Sequence, residues 1–372
     1  VLSDDVDLST SFRGSILHGE RSLDATVDMR KINLYALGLI KKYQNYSLSF
    51  TSDVNLHGES LDRCDGAIHI ADILFHNPMD KSLAVKDILI ESSSIDFPRS
   101  ISVTSELISG EIIGDFKFNT IAQAAKELVY RALPTFNPNK ERSRYAFVAD
   151  ASQRASGEEL EKSASDVRLI DSTNRFSYNF TVTDTEKIAD FLNLPVSVIY
   201  PMTIEGSFDS REGMAFLNID APFIRQNNKL IEGTSLLASL NGRTGDDRLF
   251  VTTSLPTKDG ELALMISGTA TDNHVDFGLD WNIDRHRTYK GSFQMGADLS
   301  YDFVDRNFVA DIDVKPSEMI FNDSIWVIDP AKIKIDGLKH VSIDDLNVYR
   351  SNQFVKINGV ASESASDTIT VD

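Results

Sequence analysis

The residue types that most often do chemistry in proteins are present in this chain, but they are scattered. None of the seven histidines has a second histidine or a cysteine at metal-ligand spacing. His57 and His69 could meet across a hairpin, yet two residues fall short of the ligand set of a structural or catalytic zinc site. We therefore predict no metal site. The seven are His18, His57, His69, His76, His274, His286 and His340.

Asp311 and Asp313 form an Asp-x-Asp pair, a residue type and spacing that could serve calcium binding or acid–base catalysis. They lie in an alternating pattern, and alternation places both on one polar strand face, so we interpret them as solvated surface. The sequence has no Gly-x-Ser-x-Gly nucleophile motif and no phosphate-binding loop. We predict no catalytic residues and no cofactor, and expect that the protein is not an enzyme.

Charge and cysteine content narrow the range of partners. The 372 residues include 37 Lys and Arg against 56 Asp and Glu, a net charge of −19. Such a surface repels phosphates, which argues against nucleic acid as a partner.

The single cysteine, Cys64, excludes a disulfide within the chain. No apolar run approaches the roughly 20 residues of a membrane-spanning helix.

Apolar and polar residues alternate over long stretches of the sequence, which predicts β-strands. Strands would therefore position the side chains of any functional site. One clear case covers 275–283, and the longest run covers 289–303, which is either one long strand bent at Gly296 or two strands. Further strands are predicted over 308–314, 333–335 and 354–357.

Helices are few in the predicted fold. The patterns predict one over Thr120–Leu133, stopped by Pro134, and a short one from Asp184 or Thr185 to Leu194. A weaker helical pattern lies around Leu34–Tyr43.

A segment rich in small and charged residues, 137–166, has the composition of a flexible linker or insertion. It divides the chain into an N-terminal β-groove segment, 1–136, which ends in a short helix, and a C-terminal β-groove segment, 167–372. The chain starts with valine and stops within a strand-like pattern, so we interpret it as a middle piece of a longer protein.

Long alternating strands with few helices need something to cover their apolar face. A second sheet could pack on it as in a sandwich, the sheet could close on itself, or it could curl into a trough whose apolar inside holds lipid chains. A loose repeat, in which an aliphatic-x-Gly sequence recurs at Gly58, Gly206, Gly268 and Gly359, favours an elongated, stacked architecture.

Three segments carry a resemblance to a known family. They are 47–70, with Leu56-His57-Gly58; 180–209, with Ile204-Glu205-Gly206; and 262–270, with Ile266-Ser267-Gly268. Their sequences resemble the TamB family of the Bacteroidetes type, relatives of AsmA proteins. The resemblance covers most of the chain, although the family's N-terminal anchor and C-terminal domain have no counterpart in it.

The resemblance implies an all-β fold, an elongated and curled antiparallel β-sheet or trough with an apolar inner groove and a few short helices. It implies a periplasmic bridge in a Gram-negative bacterium, anchored to the inner membrane by a segment outside this chain. Such bridges move phospholipids towards the outer membrane, and some members work with an outer-membrane barrel protein in outer-membrane biogenesis.

The alternating pattern and the resemblance together predict which residues contact phospholipid acyl chains. The candidates are the apolar positions of the clearest strands: Phe50, Val54, Leu56, Phe277, Leu279, Trp281, Phe293, Met295, Leu299 and Phe308. The alternative interpretation is a β-sandwich or β-solenoid module that binds a protein partner or a glycan, in which the same side chains would form an ordinary packed core.

Overall fold

The computed structural model describes most of the chain and confirms the all-β, antiparallel fold class with few short helices. The predicted linker over 137–166 lies, apart from its first residue, outside the described residues. Those residues are 3, 5–17, 20–79, 81–94, 98–137, 174–227, 229–241, 247–258, 260–283, 288–302, 307–337, 340–364 and 366–372.

The chain divides into two compact units. The first comprises Val1–Phe118, Asn174–Ser207 and Ile219–Leu230, and the second comprises Asn119–Thr173, Phe208–Asn218 and Ile231–Asp372. Each has an antiparallel sheet, in which neighbouring strands mostly follow one another along the chain.

In the first unit, the strands from β1 to β4 and from β6 to β9 pair in chain order. Strands β5 and β6 both pair with β4, over different parts of its length. The strands of this unit are β1 (Val6–Leu17), β2 (Glu20–Ile32), β3 (Ser47–Ser60), β4 (Arg63–His76), β5 (Ser82–Val85), β6 (Ile88–Ser93), β7 (Ser100–Thr104), β8 (Ile108–Asp115), β9 (Arg175–Val182) and β10 (Val196–Val198).

Three strands contain residues assigned to both units: β11 (Met202–Asp209), β12 (Met214–Gln226) and β13 (Lys229–Asn241). The strands that lie wholly in the second unit are β14 (Asp247–Thr257), β15 (Gly260–Thr271), β16 (His274–Ile283), β17 (Tyr289–Asp302), β18 (Asn307–Val314), β19 (Ser317–Phe321), β20 (Ser324–Ile328), β21 (Ala331–Asp336), β22 (His340–Arg350), β23 (Gln353–Ala361) and β24 (Ile369–Val371).

The long alternating run that begins at Tyr289 is one strand, β17. It pairs with β18 over one part of its length and with β19 over another. The strands predicted over 308–314, 333–335 and 354–357 are confirmed as parts of β18, β21 and β23.

Two helices were predicted correctly, with shifted ends. Helix α1 (Phe118–Ala132) ends two residues before Pro134, and a 3-10 turn (Pro134–Phe136) follows it. A proline disfavours helical backbone at the residue before it, which explains the stop at this point. Helix α2 (Glu186–Leu192) ends at Asn193, whose φ of 51° is left-handed. No helix of the described residues is long and apolar enough to cross a membrane.

The weaker helix predicted around Leu34–Tyr43 is wrong. Those residues form turns between β2 and β3, and Tyr43 has a φ of 64°, which an α-helix cannot contain. The recurrent aliphatic-x-Gly glycines lie inside strands β3, β11, β15 and β23. Gly58, for example, is opposite Cys64, and a Cβ there would lie 2.1 Å from the carbonyl oxygen of Arg63. Close backbone approach therefore explains that glycine.

Candidate functional site: an apolar face in each unit

The first unit has a continuous apolar face, because directly paired residues of antiparallel strands project to the same side. One row of paired residues crosses eight strands and contains only apolar residues and glycine. At about 4.8 Å between strands the row is about 34 Å wide. From β1 to β9 it reads Phe12, Ala25, Val54, Ile68, Ile90, Val103, Gly110 and Phe180.

This face is covered at one end of its strands and open at the other. At the covered end Met29, Ile73 and Val85 are buried. On the edge strand β1, Phe12 and Ile16 are 76% and 78% exposed, and Ile16 lies at the open end. Large apolar side chains at that exposure are costly in water, so the open end is a surface suited to an apolar ligand.

Helix α2 covers the closed end through an aromatic cluster. The ring of Phe191 lies 6.5 Å from that of Phe75 and 5.8 Å from that of Tyr46. Arg225 fixes the helix by pairing with Glu186 at 2.7 Å and with Asp190 at 2.9 Å. The helix therefore limits how far the open face extends along the strands.

The second unit has a similar apolar face. One row crosses seven strands, from β13 through β18 to β21, and its residues become buried toward β18 and β21. At the paired positions of this face, β15 to β18 contribute no charged side chain. The row reads Ala238, Leu249, Gly268, Phe277, Met295, Val314 and Ala331.

A small packed core buries part of the second apolar face. Val314, Met319, Ile328 and Ala331 are buried together, and Trp326 is among the half-buried residues that pack on them. These residues all belong to the same side of one sheet. The core is therefore made by neighbours within the sheet rather than by a second layer.

The opposite face of the second sheet is polar and charged. Asp311 lies 3.6 Å from Lys334 and Asp313 lies 3.9 Å from Lys332, which confirms that both aspartates belong to the polar face. His57 and His69 do not pair across the hairpin: His57 is opposite Asp65, and His69 is opposite Asp53.

The structure brings the ten predicted contact residues together in two sets. Phe50, Val54 and Leu56 share the apolar face of the first unit through β3, and the other seven share that of the second. Nine are half-buried, and Phe308 is 38% exposed. Trp281 and Phe293 pack against the small core of the second unit, so part of their surface serves ordinary packing.

Sequence reasoning missed the apolar positions that lie toward the first edge of the sheet. Phe12, Ile16 and Leu23 are more exposed than any of the ten predicted residues. The alternation in β1 is diluted by Thr10 and Gly14, which interrupt the apolar series. The sequence signal that could have located this apolar face is in β2, where Asp24, Thr26 and Asp28 alternate with apolar residues.

No family model, no curated protein and no solved structure matches this chain.

Proposed function

We propose that this chain is a segment of a lipid-transfer protein that holds phospholipid acyl chains on its apolar sheet faces. The observation that supports this most is the row of paired apolar residues from Phe12 to Phe180, which is uncharged and has the exposed Phe12 at one end. A packed core would hide such residues, whereas a lipid-binding face needs them accessible.

The energetics favour acyl chains as the ligand. Each methylene group moved from water onto an apolar face contributes about 0.8 kcal/mol, so a chain gains affinity with length. The rows offer no fixed polar partner along their middle. A bound chain therefore gains similar energy at successive positions, which permits sliding along the face.

The cellular setting we propose rests on the resemblance of segments 47–70, 180–209 and 262–270 to the TamB family. In this proposal the chain lies in the periplasm of a Gram-negative bacterium, anchored to the inner membrane by a segment outside this chain. It takes part in phospholipid movement between the two membranes and in outer-membrane biogenesis. An outer-membrane barrel protein would be contacted by other parts of the protein.

Native mass spectrometry of the purified protein, with extraction of bound lipid, tests the proposal. We expect several phospholipids per chain with mixed head groups. A lipid-free chain would contradict the proposal and favour the alternative of a module that binds a protein partner or a glycan.

Two substitutions on the apolar faces sharpen this test. Leu279→Asp places a charge in the second face and Phe12→Asp places one in the exposed part of the first, and each should lower the bound lipid several-fold because the carboxylate must be desolvated. Asp280→Asn changes the opposite face and should leave lipid binding unchanged. Equal losses in Leu279→Asp and Asp280→Asn would refute the assignment of faces. Thermal melting of each variant separates loss of binding from loss of fold.

A further inference from the structure

One charged side chain lies on the otherwise uncharged apolar face of the first unit. Among the paired positions on this face of β1 to β9, within the part of the chain that the structure describes, Arg21 alone carries a charge. It is opposite Ile16 on β1 and Gly58 on β3. It therefore lies at the open end of the face.

Arg21 lines a pocket of about 200 Å³ at this end. Leu23, Leu56 and Leu61 are the leucines that line it, and Cys64 also lines it. The pocket therefore joins a cation to an apolar recess, which is the arrangement that an anionic amphiphile requires.

The turn that carries Leu61 is held by a buried arginine. Arg99 is buried, its Nη2 donates to the carbonyl oxygen of Leu61 at 2.9 Å, and its Nη1 donates to that of Phe116 at 3.2 Å. Its guanidinium also lies 4.5 Å from the centre of the Phe116 ring. These contacts keep Leu61 at the pocket although its side chain is exposed, so the recess is built before any ligand arrives.

Arg21 has no ion-pair or hydrogen-bond partner for its side chain within the described residues. Asp24, three residues further along β2, accepts a hydrogen bond from Asn55 on the opposite face. The guanidinium is therefore free to bind an external anion, and its planar fork suits two phosphate oxygens.

We propose that the open end of the first face binds the head of an anionic phospholipid, with the phosphate on Arg21 and the adjoining acyl chain in the Leu23–Leu56–Leu61 recess. This inference rests on the proposed lipid-binding function and adds to it a head-group preference at one end of the face. The uncharged rows beyond the pocket would accept acyl chains of any lipid.

The test uses Cys64, the only cysteine of the chain, as a reporter inside the pocket. The rate of its alkylation by N-ethylmaleimide is followed in the full chain during titration with lysophosphatidylglycerol, and separately with monoacylglycerol of the same chain length. Both should slow the reaction, and the phosphate-bearing lipid should bind about three- to fivefold more tightly, as for one exposed charge pair. Added salt should reduce the difference.

Arg21→Gln should abolish the preference while the affinity for monoacylglycerol stays the same. The matched control is Arg13→Gln, which removes an exposed arginine from the opposite face of neighbouring β1 and should leave the preference intact. A preference that survives in Arg21→Gln, or no preference in the unaltered protein, would overturn the head-group site. If neither lipid protects Cys64 but native mass spectrometry detects bound phospholipid, the pocket is rejected and the proposed function stands. If neither measurement detects lipid, both are rejected.

Discussion

At the scale of single residues, Gly291 shows how the second apolar face accommodates the indole of Trp281. Gly291 is opposite Trp281 on β16 and Met319 on β19. A Cβ at this position would lie 2.3 Å from Cζ2 of Trp281 and 2.8 Å from Cβ of Met319. Because glycine has no side chain, the indole of Trp281 can occupy this space.

We expect Gly291→Ala to lower the free energy of unfolding by about 1–3 kcal/mol, because the methyl group overpacks the face and displaces the indole. The control is Gly268→Ala, on the same face of β15, where the nearest atom to a Cβ is 3.7 Å away and the substitution should be neutral or slightly stabilising. Urea unfolding followed by tryptophan fluorescence measures both. A similar stability for the two variants would contradict the packing described for Gly291.

His274 is a second residue with a property, its pKa, that depends on its neighbours. Its Nδ1 lies 2.7 Å from Asp298, and its Nε2 lies 3.7 Å from Asp276, which also accepts a 2.7 Å bond from Lys315. The hydrogen bond to Asp298 raises the pKa of His274 above its ordinary value. The folded protein therefore binds this proton more tightly than the unfolded chain does.

The sign of the pH dependence follows from that shift. The stabilisation is fully present below the ordinary histidine pKa and is lost as the pH rises through the raised value in the folded state. Because the pair is exposed, it contributes at most about 1 kcal/mol. Asp298→Asn should lower the pKa of His274, as measured by NMR titration of the ring, whereas Asp280→Asn should not. An unchanged pKa in Asp298→Asn would show that the bond to Asp298 is not its cause.

At the scale of elements, helix α2 is the part of the first unit that closes one end of the apolar face. Its buried Ala189 and half-buried Phe191 lie on its inner side, and Lys187 is exposed on the other. A helix of seven residues is too short to be stable alone in water, so its packing maintains it.

Phe191→Ala should therefore destabilise the first unit by about 1–3 kcal/mol, which is below the range for a fully buried phenylalanine because this ring is half-buried. The loss should also raise hydrogen exchange in α2 and near Phe75. Lys187→Ala alters the exposed side and should change neither quantity by a measurable amount. Unchanged exchange in Phe191→Ala would indicate that the aromatic cluster does not hold the helix.

At the scale of the whole molecule, few apolar side chains of either sheet are fully buried. Only 15 apolar side chains of the described residues are buried, and five of these are alanines. Much of the apolar surface is only half-buried, so under the proposed function a bound lipid would complete its burial. Stability should therefore depend on bound lipid.

We expect a delipidated sample to gain about 2.7 kcal/mol of unfolding free energy when free lipid reaches 100 times its dissociation constant, since the ligand binds the folded state alone. Urea unfolding at several concentrations of a lysophospholipid below its micelle threshold measures this gain. Phe12→Asp, which alters the exposed end of the first face, should reduce it. A midpoint that does not move with lipid would argue against a lipid ligand.

The sequence by itself determined the all-β class and the face on which each side chain lies within a strand. Period-2 alternation over 275–283 and 289–302 suffices for this, because successive strand residues point to opposite sides. It also located α1 and α2, which have helical periodicity and a stop. It failed at 34–43, where a short apolar pattern is compatible with both helix and turn.

Tertiary structure alone decided which strands pair and in which register. The row from Phe12 to Phe180 joins residues far apart in sequence, and β8 pairs with β9 across a long intervening segment. It also decided which apolar residues are covered, and that Arg21 lies at the open end beside a recess. Local pattern cannot specify these features, because cross-strand register and burial depend on contacts between distant parts of the chain.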